Sequence, residues 1–178
     1  MRKPLTILAA SINIIFKDKP MSTTIEIPKE IYEILRQEAR KRGRTIEDLM
    51  IDLILKTADP PARIKAYKKL HEKYLEEAQK YLRKGDLVQA SEKYWGAVIA
   101  LLNAIGEKEG LPHYTHRDLK EISLYLTKKK KDPEYTRLFS STETLHANYY
   151  HNFLDEETFN IHKEDAEKLI QKIKELLK

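Results

Sequence analysis

The chain has no cysteine among its 178 residues, and this absence removes several chemistries at once. Disulfides, thiolate zinc sites and a cysteine nucleophile are all excluded. Glycine is scarce, at 5 residues, and no segment alternates apolar and polar residues beyond one short run. An extended sheet has little to draw on, so an all-α core is expected. No apolar run reaches the roughly 20 residues of a membrane-spanning helix. The amino-terminal "MRKPLTILAASINIIF" is too short to span and is followed by "KDKP" rather than a small-residue cleavage site. Residues 1–20 are therefore expected to be a non-native or disordered extension, because Met21 opens "MSTTIEIPKEIYEIL" as a natural start would. No membrane contact is expected, and the location expected is the cytoplasm.

Charge is abundant. Lys, Arg, Asp and Glu make up 34% of the chain, with a net charge of +5, and they are spread at short intervals along helical stretches. A mild positive excess suits a nucleic-acid partner without demonstrating one. Missing cysteine with plentiful Lys and Glu is also a composition found in hyperthermophile proteins.

"TTIEIP" has period two, with Ile25 and Ile27 on one side and Thr24 and Glu26 on the other, which predicts a strand over 23–27. Pro28 stops it and opens a helix carrying Ile31, Ile34, Leu35 and Ala39. Gly43 suits the C-terminal turn, and Thr45 with Asp48 forms a capping pattern for a second helix. This strand, helix, turn and helix over about residues 22–58 resembles a ribbon-helix-helix module. The resemblance implies a homodimer through paired strands. It also implies DNA contact from the outward strand residues, against which the carboxylate of Glu26 would work. Dimerisation alone is the competing reading of this arm.

Pro60-Pro61 is a break, so an arm over 21–59 and a helical body over 60–178 are expected. In the body Tyr67, Leu70, Tyr74, Ala78 and Tyr81 mark one long amphipathic helix ending at Gly85. Asp86 with Gln89 caps a second, which carries Ala90, Tyr94, Ala97, Val98, Leu101 and Ile105. Thr115 with Asp118 caps a third, Asp132-Pro133 starts a fourth, and a fifth is expected from about Glu164 to Leu177.

"GDLVQASEKYWGA" and "LHANYYHNF" carry a resemblance to the archaeal PaREP family. The matching residues are Gly85, Asp86, Gln89, Ala90, Glu92, Lys93, Trp95, Gly96, Ala97, Leu145, His146, Asn148 and Tyr150. Tyr149 replaces the family's usual Phe, and His151 stands where an acidic residue is common. The family resembles the wider HEPN class of small, often dimeric helical bundles. The resemblance implies an HEPN-like antiparallel bundle, and either a ribonuclease of a toxin–antitoxin system or a non-catalytic binder of nucleotide, RNA or DNA. HEPN ribonucleases carry an Arg and, four to six residues on, a His. Here the Arg slot holds His146 and the His slot His151. Arg137 lies about two and a half turns upstream, too far to substitute.

Non-catalytic binding is therefore the leading expectation. Asn148, His151, Tyr150, Glu92, Lys93, His116 and Arg117 are the candidate ligand contacts. The alternatives are a diverged ribonuclease using His151 and Asn148, with His146 as a further candidate, and a purely structural dimerisation protein. On a helical wheel His146 and Tyr150 flank an apolar face of Leu138, Leu145 and Tyr149, which predicts half-burial for both. Asn148 and His151 fall on the other side with Thr144. Glu92 and Lys93 read as a solvated pair, and Trp95 as core or interface. His146 and His151 point about 140° apart on one helix and so cannot share an ion. No metal and no cofactor are expected.

Overall fold

A computed structural model of the chain describes residues 27–178 with their side chains. From Pro28 onward the described chain is helical, in seven helices: α1 Lys29–Lys41, α2 Ile46–Leu55, α3 Pro60–Leu82, α4 Leu87–Glu109, α5 His116–Lys130, α6 Glu134–His151 and α7 Glu156–Leu176. The strand expected over 23–27, with Glu26, lies outside the described residues except for its last position. The extension expected over residues 1–20 also lies outside them. No described helix is long and apolar enough to cross a membrane.

The chain divides between Thr57 and Ala58 into two units. In the first, Gly43 takes a φ of 63° after α1, where a side chain would be strained. Thr45 then caps α2 by accepting from the Asp48 amide at 3.0 Å. Arg44 is buried, 3.1 Å from Asp52 and 3.9 Å from Asp48, so its charge is compensated inside. Ile31, Ile34, Leu53 and Ile54 remain exposed on this helix pair.

The second unit is a five-helix bundle built around α4. That helix is apolar around nearly its whole circumference, from Tyr94 to Gly106, so it can only be a central element. It packs against α3, α5, α6 and α7. Two glycines permit close approach. A Cβ at Gly96 would fall 2.9 Å from the Tyr74 ring, and one at Gly106 would fall 2.7 Å from the Cβ of His113. Asp59, Asp86 and Thr115 cap α3, α4 and α5, and the Thr115–Asp118 capping box makes both of its bonds.

α7 starts eight residues before the expected Glu164. Asp155 caps it by accepting from the Thr158 amide at 2.8 Å, and Phe159 is buried in the bundle. The stretch "DEETFNIHKED" carries so little apolar residue that periodicity does not reveal its first two turns.

His71 on α3 is buried, and its Nδ1 lies 2.9 Å from the Ala97 carbonyl oxygen, to which it donates. Burial pushes this imidazole below its ordinary value of 6.5. The folded state thus resists the proton that the unfolded chain accepts near that value, and stability falls as the pH drops below it. A melting temperature several degrees lower at pH 5 than at pH 7.5 is expected, with much of the difference gone in His71→Gln. Equal melting at both pH values would contradict this.

Candidate functional site

Three helices bring a cluster of rings together. α4 supplies Glu92 and Trp95, one turn apart. α5 starts with His116. α6 supplies Phe139, Glu143, His146 and Tyr150, which share one stripe at helical spacing. Trp95 is buried, and both imidazoles lie nearly parallel to its indole. The His116 centroid is 5.4 Å from it at 23°, and that of His146 is 4.8 Å away at 22°. The two imidazoles are 6.3 Å apart. Rings on opposite faces would be separated by roughly the sum of their distances to Trp95, so both stand on the same side of the indole. Phe139 abuts the indole at 5.7 Å, and Tyr150 meets the His146 ring edge-on at 5.1 Å.

Each imidazole is held by a carboxylate. His146 Nδ1 lies 2.8 Å from Glu92 Oε2, and His116 Nε2 lies 2.6 Å from Glu143 Oε1. Lys120 adds its Nζ at 3.1 Å from the same Glu143 oxygen. Burial pushes the Glu143 carboxyl up, but the hydrogen bonds from His116 and Lys120 outweigh it and hold the group below its ordinary range. It therefore stays anionic and takes the ring N–H. In the neutral rings this fixes the tautomers, leaving the lone pair on Nε2 of His146 and on Nδ1 of His116. The side chains keep 35% of their exposure at His116 and 14% at His146, so both reach solvent from a largely dry base.

Asn148 is fully buried, unlike the accessible group beside His151 that the helical wheel predicts. Its Nδ2 donates to Ser91 Oγ at 3.0 Å, and its Oδ1 accepts from the amides of Phe153 and Leu154, each at 2.8 Å. It ties the α6–α7 link to α4. His151 is exposed at the last residue of α6. Tyr150 is 61% exposed rather than half-buried. Glu92 is buried against His146, not solvated with its neighbour. Lys93 turns toward α3, 2.7 Å from Glu77 and above the Tyr74 ring. Arg117 is exposed and pairs with Glu121 at 2.9 Å.

The structure thus joins His146, Glu92, His116 and Tyr150 in one site, while His151 stands exposed at the end of α6, about 140° around the helix from His146. Lys93 and Asn148 serve elsewhere. Sequence reasoning missed Glu143, Lys120 and the central place of Trp95. The only local signal was the stripe of residues 139, 143, 146 and 150, which the wheel could have read. Among the described residues no group of three or more His, Asp and Glu is gathered for a metal ion. The arrangement offers a stacking surface, two oriented imidazoles and a cation at the rim.

A family model described as the archaeal PaREP1/PaREP8 family matches residues 66–170, more than half of the chain and all of the ring cluster. The crystal structure of a protein from Sulfolobus solfataricus is similar as well. It is 30% identical with a TM-score of 0.55, over 61% of this chain and 96% of that one. No curated protein matches the chain.

Proposed function

Because the chain belongs to the archaeal PaREP1/PaREP8 family, a membership that names no ligand, we propose from the site itself that the protein binds single-stranded RNA or a ribonucleotide at the Trp95 ring cluster. One observation carries this reading: the exposed ring of Tyr150 stands edge-on to an imidazole that is itself backed by a buried indole. Such a surface suits base stacking, which contributes about 1–3 kcal/mol per base. His116 and Lys120 at the rim suit a phosphate, and the net charge of +5 favours the encounter.

In this reading the bundle is HEPN-like, and the protein is a cytoplasmic regulator or a member of a toxin–antitoxin pair. The arm joins two copies through the paired strands of a ribbon-helix-helix. The exposed Ile31, Ile34, Leu53 and Ile54 on a helix pair too small for a core of its own support that assembly.

Fluorescence anisotropy of a labelled single-stranded oligoribonucleotide tests the proposal. Tyr150→Ala is expected to raise Kd about tenfold, the lower part of the stacking range. An unchanged Kd would remove the site from the account. Absence of binding by the wild-type protein at low salt would leave an assembly protein.

A further inference from the structure

We propose that a lysine-lined cleft, at the opposite end of α5 from the ring cluster, binds an anion made of two or more linked phosphates. The inference stands apart from the RNA-binding reading, because the two sites share no residue. His116 opens α5 and Lys130 closes it, about 20 Å further along the helix axis.

α4, α5 and α7 end together there, at Glu109, Lys130 and Leu176. Their last turns enclose a cleft of about 420 Å³, lined by Lys108, Lys129, Lys130 and Lys178 together with Glu109 and Glu175. The buried Leu126 forms an apolar part of its wall. The volume falls in the roughly 300–1,000 Å³ range of small-molecule sites.

The cations outnumber the carboxylates, and one carboxylate is already engaged. Glu109 Oε2 accepts from Lys129 Nζ and from the Tyr125 hydroxyl, each at 2.5 Å, and these bonds hold its carboxyl below the ordinary range. Lys129 Nζ also donates to the Tyr125 hydroxyl at 3.0 Å and lies 5.2 Å from the centre of that ring, so its place at the cleft is fixed.

Helix C-termini draw lysines on their own account, since their last carbonyls carry partial negative charge. Lys108 fills that role by donating to the Leu176 carbonyl at 2.6 Å. Helix capping does not use up the cleft, however, because an ammonium has three protons to donate. Lys108 keeps two of them and Lys129 keeps one. Lys130 and Lys178 have no hydrogen-bond or ion-pair partner among the described residues. Spare donors from four cations thus face one shared space, with Glu175 as the opposing charge. A weak monoanion gains little against Glu175, and one tetrahedral anion is smaller than the cleft. Linked phosphates carry several charged oxygens to more than one wall, and lysine suits phosphate as a point charge. A free condensed phosphate and the phosphate chain of a nucleotide share this chemistry.

Isothermal titration calorimetry of the full chain with inorganic tripolyphosphate, at low salt and without divalent cations, tests the proposal. Saturable binding is expected, about tenfold or more tighter than that of orthophosphate or sulfate, because linked phosphates add charge-assisted contacts each worth about that factor. Lys130→Gln, at an exposed side chain with no partner to lose, should raise Kd about tenfold for the same reason. Glu175→Gln should lower it. Lys80→Gln, an exposed lysine of α3, should leave it unchanged, as should Tyr150→Ala in the ring cluster. A nucleoside triphosphate is then titrated into Tyr150→Ala. Affinity equal to that of tripolyphosphate supports a cleft that reads phosphates alone, and higher affinity supports a nucleotide as their source. Absence of tripolyphosphate binding, equally tight binding of orthophosphate, or an unchanged Kd in Lys130→Gln overturns the proposal and leaves the RNA-binding reading untouched. A Kd that rises in Tyr150→Ala but not in Lys130→Gln overturns it as well, since the anion would then sit on the ring cluster.

Discussion

Replacing Glu107 by alanine is expected to destabilise the bundle by about 3–5 kcal/mol, the cost of breaking a buried ion pair from one side. The corresponding fall in melting temperature is roughly 10 °C for a chain of this length. Glu107 sits near the end of α4 with its side chain 5% exposed. Its two oxygens face Arg63 Nε at 2.8 Å and His113 Nε2 at 3.1 Å. Arg63 also reaches the Ala58 carbonyl at 3.2 Å, and His113 donates from Nδ1 to the Leu111 carbonyl at 2.9 Å. The carboxylate therefore holds the start of α3 through Arg63 and lies against the link that delivers Thr115 and His116 to the site. Alanine leaves a part-buried guanidinium without its counter-charge. Adding Arg63→Ala should recover part of the loss, so that the double variant is less destabilised than the sum of the singles. A single-variant loss under about 1 kcal/mol, the value of a solvated pair, measured by urea unfolding, would contradict this.

Asn148→Ala is the second large effect, at about 2–4 kcal/mol, because three groups lose their partner together. The amides of Phe153 and Leu154 lose their acceptor, and Ser91 loses its donor. Ser91→Ala should cost less, since Asn148 would keep both backbone bonds. Chemical denaturation of the two variants gives the order, and equal losses would show that the side-chain bond, not the link, carries the stability. Melting of the α6–α7 link should also loosen Tyr150, two residues after Asn148 on α6, and so weaken RNA binding.

Much of the fold was legible because its signals are local. A cap involves residues three apart, so Thr45, Asp86 and Thr115 could be read directly, and the stripe from Tyr67 to Tyr81 marks α3 without reference to anything else. The start of α7 was not legible, because its first two turns present almost only Phe159 to the core. The site was half legible. A wheel drawn for α6 alone treats every face away from the main apolar stripe as solvent. In the bundle, Ser91 of α4 and the returning link cover the face that holds Asn148, and Glu92 covers His146. The pairs that define the cluster join residues 27 and 54 positions apart in sequence. No local pattern specifies such pairs, so His116 could be placed as a candidate but not joined to Glu143, and Lys93 could not be seen to turn toward Glu77.

The central claim, that RNA sits on the ring cluster, can be tested with one signal. Trp95 is the single tryptophan of the chain, so a ¹⁵N-labelled sample gives one indole N–H resonance from the middle of the site. On addition of an unlabelled single-stranded oligoribonucleotide that resonance is predicted to shift and to saturate at the Kd found by anisotropy, with no such shift in Tyr150→Ala. An indole signal that stays in place while anisotropy reports bound RNA would put the RNA elsewhere on the molecule and contradict the account.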